Sequence, residues 1–235
     1  MLLEVIALTP EDARVAAKHG ADRIEFVSAI EEGGLTPALT FIEETAAECA
    51  IPVHVMIRPH GRSFLYSEAD LERMIRDMSA LGKAGAGAFV LGTLTPVGTV
   101  DEEKLKRLLD AAGDIPVTFH RAFDEARNLE EAFGTLVRYP QIRTILTSGG
   151  KPSVLDAAEE IARLVRLSSG TTIEIMAGSG LTPASLAGFV DATGVRAVHF
   201  GSGVRQDGAQ TAPLDSVRLA AVRAVLGGRE RGRDA

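Results

Sequence analysis

The sequence predicts an α/β protein of the (β/α)8, or TIM-barrel, class in a single domain. Three observations carry that prediction. Short apolar, β-branched runs alternate with patterns of helical period along the chain. Eight such strand–helix units follow one another without a long linker or a low-complexity segment. The length of 235 residues lies in the range of roughly 200–250 that such barrels fill as one domain. A doubly wound open sheet would show the same alternation. No G-x-G-x-x-G follows the first strand, which weakens the dinucleotide-binding form of that rival.

The elements follow in order. "LLEVIA" (2–7) reads as the first strand; with an acid at its third position and no basic residue before it, it does not read as a secretory leader. "LTPEDA" then sets Thr9 before Pro10, a cap followed by proline at a first helical position. In "KHGADRIEF" Gly20 ends that helix, and the second strand, "RIEFV" (23–27), begins. "SAIEEGGLTP" is a long loop that places Thr36 before Pro37 to start the second helix. The third strand, "VHVMIR" (53–58), leads through "PHGRSFLY" to the helical pattern "SEADLERMIRDMSALGKAG". "AFVLG" (88–92), "VTFH" (117–120) and "RTILT" (143–147) are the next strands, and "PSVLDAAEEIARLVRLSSG" is again helical. "IEIMAG" (173–178) precedes "LTPASL", with Thr182 before Pro183, and "AVHFG" (197–201) is the eighth strand. The barrel is expected over 1–226, and the polar, Gly-rich "GGRERGRDA" (227–235) is expected to be a disordered tail.

Composition narrows the function classes. With 46% apolar and 24% charged residues the chain reads as an ordinary soluble protein. A formal net charge of −7 argues against nucleic-acid and anionic-membrane partners. No window approaches the roughly 18 apolar residues of a membrane span. The single cysteine, Cys49, excludes an internal disulfide and fits a reducing cytosol, so a cytoplasmic location is expected.

Side chains alternate along a strand, so each strand divides into two sets. Leu3 and Val5 oppose Glu4 and Ile6; Ile24 and Phe26 oppose Glu25 and Val27; Val53, Val55 and Ile57 oppose His54, Met56 and Arg58. Val117 and Phe119 oppose Thr118 and His120, Ile173 and Ile175 oppose Glu174 and Met176, and Val198 and Phe200 oppose His199. The apolar sets pack on helices. The lumen therefore receives Glu4, Glu25, Glu174, His54, His120, His199, Arg58 and Thr118. Unpaired charges there would cost several kcal/mol, so these groups must meet each other, water or a ligand. Glu4 and His54, low in the barrel, are open to a satisfied polar plug as well as to a ligand role. Arg121 starts on the far face by register unless the strand end twists it over the mouth, and Asp124 is a candidate partner for it.

The long loops all follow strands, and in a barrel they crowd the C-terminal face, where active sites of this fold lie. "MAGSGLTP" and "FGSGVR" follow strands seven and eight, where barrels often bind phosphate through backbone N–H groups. Gly178, Ser179, Gly180, Gly201, Ser202 and Gly203 would permit close approach, with Arg205 as a counter-charge; "TSGGKPS" with Lys151 is a similar loop. The expectation is a small anionic, phosphate-bearing ligand. His120, Glu25 and Arg58 are the candidate catalytic residues, and Arg121, Thr118, Glu4, Gly178, Ser179, Gly201 and Ser202 the candidate ligand-binding ones. No lysine lies within a strand, which disfavours a Schiff-base aldolase and leaves only Lys151 in a loop. No G-x-S-x-G elbow and no H-E-x-x-H occurs. No spacing requires a metal, so no metal ligands are assigned and no cofactor is evident; a divalent ion on Glu4, Glu25, His54 or His120 stays open.

"GADRIE" followed by "EEGGLTP", then "IPVHVMIRP", "YSEAD", "VTFHRAFD", "ILTSGG" and "IMAGSG", in order over residues 1 to about 205, resemble the CutC family, named for copper homeostasis. The resemblance implies a TIM barrel, a homo-oligomer such as a dimer or tetramer, a cytoplasmic location and copper handling. Copper binding in some members is attributed to cysteines on the first two strands, and those places hold Ile6 and Val27 here. Cu(I) prefers thiolate or thioether sulfur, and only Met56 and Met176 bring sulfur to the lumen. Glu25, Arg58, His120 and Arg121 lie inside the matching motifs. An enzyme, a copper-homeostasis protein and a ligand-binding protein without chemistry are the three readings carried forward.

Overall fold

In β1 (Leu2–Ala7) the residues at odd positions are apolar and fully buried, and the same alternation recurs around the molecule. A computed structural model describes residues 1–231, with strands β2 (Arg23–Phe26), β3 (Val53–Met56), β4 (Ala88–Leu91), β5 (Val117–Phe119), β6 (Ile142–Thr147), β7 (Glu174–Ala177) and β8 (Ala197–Phe200). The strands pair in parallel in chain order, and β8 closes on β1 with Leu3 opposite Val198 and Glu4 opposite His199. The helices are α1 (Pro10–Lys18), α2 (Leu39–Glu48), α3 (Glu68–Lys83), α4 (Glu102–Ala112), α5 (Leu129–Leu136), α6 (Ala158–Ser168), α7 (Pro183–Thr193) and α8 (Ser216–Arg231), each following its strand. This is the expected TIM barrel. Helix α8 occupies 227–231 of the stretch expected to be a disordered tail, and 232–235 lie outside the described residues.

The outward strand residues, among them Val5, Phe26, Val55, Phe89, Phe119, Ile145, Ile175 and Phe200, join the helices in one core. Two small apolar clusters, Val27–Met56–Val90 and Leu146–Met176–Ala197, lie apart from that core on the inward-facing sets. Glu4, Glu25, His54, Thr118 and His199 alternate inward and are all buried, as their register predicts. Glu174 departs from expectation. As the first residue of β7 it is exposed, so burial holds for the strand only from Ile175 onward.

Two of the three Thr–Pro starts cap helices: Thr9 accepts from the Asp12 N–H and Thr182 from the Ser185 N–H. Thr36 does not. Its hydroxyl donates to the Arg58 carbonyl and accepts from the Arg58 N–H at 2.9 Å, which ties the loop after β2 to the end of β3. Helix α2 starts two residues after Pro37 without a side-chain cap. Among the described residues, no helix is long and apolar enough to cross a membrane.

Candidate functional site

The inward-facing polar residues sort into two levels. The lower level is a network around Glu4, which is completely buried. Arg23 Nε donates to Glu4 Oε2 at 2.6 Å, and His199 Nδ1 lies 2.7 Å from Oε1. His54 Nδ1 is 3.6 Å from Glu4 Oε2. Burial alone would raise the Glu4 carboxyl, but Arg23, His199 and His54 outweigh it and hold it at about 2. Burial drives His54 down to about 4, so it is neutral at pH 7. Of the two roles left open for Glu4 and His54, hydrogen bonds satisfy Glu4 within the network, whereas His54 Nδ1 is buried without a hydrogen-bond partner among the described residues; Arg23 is the member that sequence reasoning missed. Arg23 stands two residues before Glu25 on the same alternating set, a signal that could have found it.

The upper level opens into a cavity of about 370 Å³ at the C-terminal face, lined by residues that include Glu25, Arg58, Phe64, His120, Arg121 and His199. Glu25 is 2% exposed, and its Oε1 has no hydrogen-bond partner among the described residues. Its Oε2 lies 3.7 Å from His199 Nε2. Burial, with the Glu4 charge adding to it and His199 opposing, lifts the Glu25 carboxyl to about 7. Burial opposes charge on His199, yet Glu25 and Glu4 on its two ring nitrogens raise it above the ordinary imidazole value. A carboxyl raised to about 7 thus lines the cavity, 3.7 Å from an imidazole whose other nitrogen lies 2.7 Å from the Glu4 carboxylate.

Strand β5 ends at Phe119, and a 3-10 turn (Arg121–Glu125) begins with His120 as its cap. His120 Nδ1 accepts the Ala122 N–H at 3.2 Å, which places the ring proton on Nε2. That Nε2 is buried and has no partner among the described residues. Burial first, then the Arg58 charge, push the ring down to about 3, so His120 is a neutral donor. The turn swings Arg121 over the mouth, where Nε donates to Asp124 at 2.9 Å and Nη2 to Ser148 Oγ at 2.9 Å. Asp124 also accepts from Thr147 Oγ1 and from the Ser148 and Gly150 amides, so it pins the loop after β6 to the loop after β5. Sequence reading offered Asp124 as a partner for Arg121; its hold on the β6 loop crosses 23 residues and leaves no local pattern.

Arg58 is buried behind the loop after β2. Nη1 donates to the carbonyls of Glu32, Gly33 and Gly34, and Nη2 to that of Gly61. Its Nε has no partner, and its guanidinium stacks 4.6 Å from the Phe64 ring centre. Ser179, Gly201 and Ser202 line the cavity, Ser179 with a positive φ of 75°. Gly178 does not line it. A Cβ there would lie 2.7 Å from Leu146 Cδ1 and 3.2 Å from His199 Cβ, so this glycine makes room for both side chains. Thr118 and Glu4 sit outside the cavity lining. Arg205, expected as a counter-charge, touches the cavity wall but is spent on Asp12 at 2.8 Å and on the carbonyls of Ile6 and Ala212.

Glu4, Glu25 and His199 each present a donor atom within 4.8 Å of the others. Two carboxylates and an imidazole suit a divalent ion of the harder or borderline kind. Thiolate is missing there: Cys49 ends α2 and is not in the cavity lining. Of the two sulfur atoms expected in the lumen, Met56 lines the cavity and Met176 Sδ accepts from Arg23 Nη2 at 3.4 Å.

Comparison with known proteins agrees with this architecture. A family model described as the CutC family matches residues 1–204. A CutC family protein of Salmonella enteritidis is 40% identical over 204 residues, covering 86% of this chain and 80% of that one. One of Mesorhizobium japonicum is 37% identical over 199 residues, covering 85% and 76%. The solved structure of a CutC copper homeostasis protein from Streptococcus agalactiae superposes with a TM-score of 0.80 at 30% identity, over 85% of this chain and 97% of that one. Phosphoribosylanthranilate isomerase of Thermotoga maritima shares the fold alone, with a TM-score of 0.64 at 16% identity over 97% and 100% of the two chains.

Proposed function

The chain belongs to the CutC family, and from the geometry of its mouth we propose that it binds a small anionic molecule and exchanges a proton with it through Glu25. One observation carries this reading: a buried carboxyl with a free oxygen, raised to about 7, in the wall of a ligand-sized cavity. Near neutral pH such a group is populated as both acid and base, the condition under which general acid–base catalysis is most effective. His199 lies 3.7 Å from it, Glu4 holds His199 and Arg23 holds Glu4, and His120, which lines the same cavity, carries a neutral N–H. The Ser179 and Ser202 loops form the opposite rim, where a phosphate on the same ligand would lie. The test is to identify by mass spectrometry the small molecules that co-purify with the full chain, then incubate them in D2O with wild type and with Glu25→Gln. Deuterium uptake or conversion by wild type, lost in Glu25→Gln, is the expected result. Retention without exchange by either protein would make the chain a binder without chemistry.

Copper homeostasis is the second reading, and the name of the streptococcal relative favours it where the side chains favour the first. Copper would then be cargo. The Glu4–Glu25–His199 set suits Cu(II) or another divalent ion, and the lack of thiolate weighs against Cu(I). A chelator competition in each oxidation state decides it. Stoichiometric Cu(II) binding lost in His199→Ala supports this reading, and a Cu(I) complex that survives the competition would contradict the donor argument.

A further inference from the structure

Arg58 and His120 stand in the cavity wall, yet Arg58 Nε and His120 Nε2 are closed off and have no partner among the described residues. Phe64, in the same wall, packs on both side chains. Its ring centre lies 4.6 Å from the Arg58 guanidinium carbon and 4.8 Å from the centre of the His120 ring. A third buried nitrogen without a partner, His60 Nδ1, lies on the loop that carries Phe64. Buried polar atoms left unpaired cost free energy, and here three of them meet at one loop, 59–66.

That loop is fixed at its ends and slack between them. Thr36 bonds the backbone N–H and carbonyl of Arg58, and Ser67 and Asp70 form a capping box at the start of α3. Between these anchors, one backbone hydrogen bond ties the loop to a neighbouring segment among the described residues: Leu94 N–H donates to the Phe64 carbonyl at 2.9 Å. Arg58 Nη2 adds a longer contact of 3.4 Å to the Gly61 carbonyl. The rings of Phe64 and Tyr66, both buried, draw the loop inward, and the unpaired nitrogens oppose them. Few tertiary bonds and opposed terms are the marks of a segment that opens locally.

We propose that loop 59–66 is a gate with Phe64 as its bolt, hinged beside Arg58 and Ser67, and that its opening gives the Arg58 and His120 nitrogens to the cavity. The gate governs access alone. It stands or falls independently of which ligand enters and of the proton chemistry at Glu25.

Amide exchange in the full chain reads the gate without any ligand. Opening frees the Leu94 N–H, whereas the Phe89 N–H, 3.0 Å from the Pro116 carbonyl in the barrel wall, needs global unfolding. The Leu94 amide is expected to exchange at least about a hundredfold faster than that of Phe89 and with little dependence on dilute urea. Asp12→Ala, which weakens the barrel away from the gate, should speed Phe89 and leave Leu94 unchanged. Phe64→Leu removes the ring and should speed Leu94 about tenfold, still with little urea dependence. The Thr95 N–H, bonded to the Thr99 carbonyl within the loop after β4, should not follow it. Ethoxyformylation by diethyl pyrocarbonate, mapped by mass spectrometry, should reach His120 about tenfold faster in Phe64→Leu, with His19 at the end of α1 as the unchanged control. A Leu94 amide as slow and as urea-dependent as Phe89, or one that accelerates with it in Asp12→Ala, would overturn the gate. Equal acceleration of Thr95 would place the motion in the β4 loop instead, and unchanged His120 labelling in Phe64→Leu would remove Phe64 as the bolt; either result ends the proposal.

Discussion

Gly92→Ala tests whether the end of β4 is shaped by the needs of His120. A Cβ at position 92 would lie 2.6 Å from His120 Nδ1, 2.8 Å from its Cε1 and 3.0 Å from Ala122 Cβ. Gly92 is not among the positive-φ glycines, so alanine fits its backbone and the conflict is one of space alone. Relief requires moving the ring, which breaks the Nδ1 bond to the Ala122 amide and disturbs packing against Phe64. Overpacking of this kind costs about 1–3 kcal/mol. The lost hydrogen bond adds about 1 kcal/mol. Fewer unfolded conformations return about 0.4–1 kcal/mol. The net loss is about 1–3.6 kcal/mol, a drop in Tm of roughly 2–14 °C for a chain of this size. Gly134→Ala is the control, since nothing lies within 4 Å of a Cβ there and the residue is in the exposed middle of α5. It should raise stability by about 0.5–1 kcal/mol. Urea unfolding of both variants measures the pair. A Gly92→Ala protein as stable as the control would refute the link between this glycine and the imidazole.

Three further outcomes follow from the same geometry. Because Glu25 is raised from 4.5 to about 7, the native state keeps its proton where the unfolded chain has lost it, so this contribution is full below pH 4.5 and gone above pH 7. The stability of wild type relative to Glu25→Gln should therefore fall by about 3 kcal/mol across that window, read by urea unfolding at stepped pH; a flat or rising difference would contradict it. Asp12→Ala leaves the buried Arg205 guanidinium unpaired and should cost about 3–5 kcal/mol in the same assay. Thr182→Ala should cost about 1 kcal/mol by uncapping α7, whereas Thr36→Val should leave α2 helicity by circular dichroism unchanged, because Thr36 binds the β3 end and caps no helix.

The barrel was legible because period-2 alternation is unusually clean when one face of a strand packs on helices and the other carries charge. Leu3 and Val5 against Glu4, and Val198 and Phe200 against His199, place themselves. The same rule covers Arg23, the first residue of β2 and on the same set as Glu25. What alternation cannot show is how a side chain is spent. Arg58 and Arg205 read alike as free cations near the mouth. Arg205 meets Asp12 from 193 residues away, and Arg58 meets only loop carbonyls, a difference fixed by tertiary packing. Thr36 shows the limit of a local motif, since its hydroxyl has a better partner on β3 than the helix beside it. Glu174 shows that alternation gives the face but not the depth. The Gly-Ser-Gly loops follow β7 and β8 and, Gly178 apart, line the cavity, while the closeness of Gly178 to Leu146 and His199 depends on contacts of β7 with β6 and β8.

The central claim is that Glu25 holds an exchangeable proton in the cavity wall near neutral pH. A carbon-detected NMR titration of its side-chain carboxyl in the full chain tests this most directly. The account predicts a midpoint of about 7, coupled to a second transition at His199. A single midpoint at the ordinary value of 4.5 would contradict it.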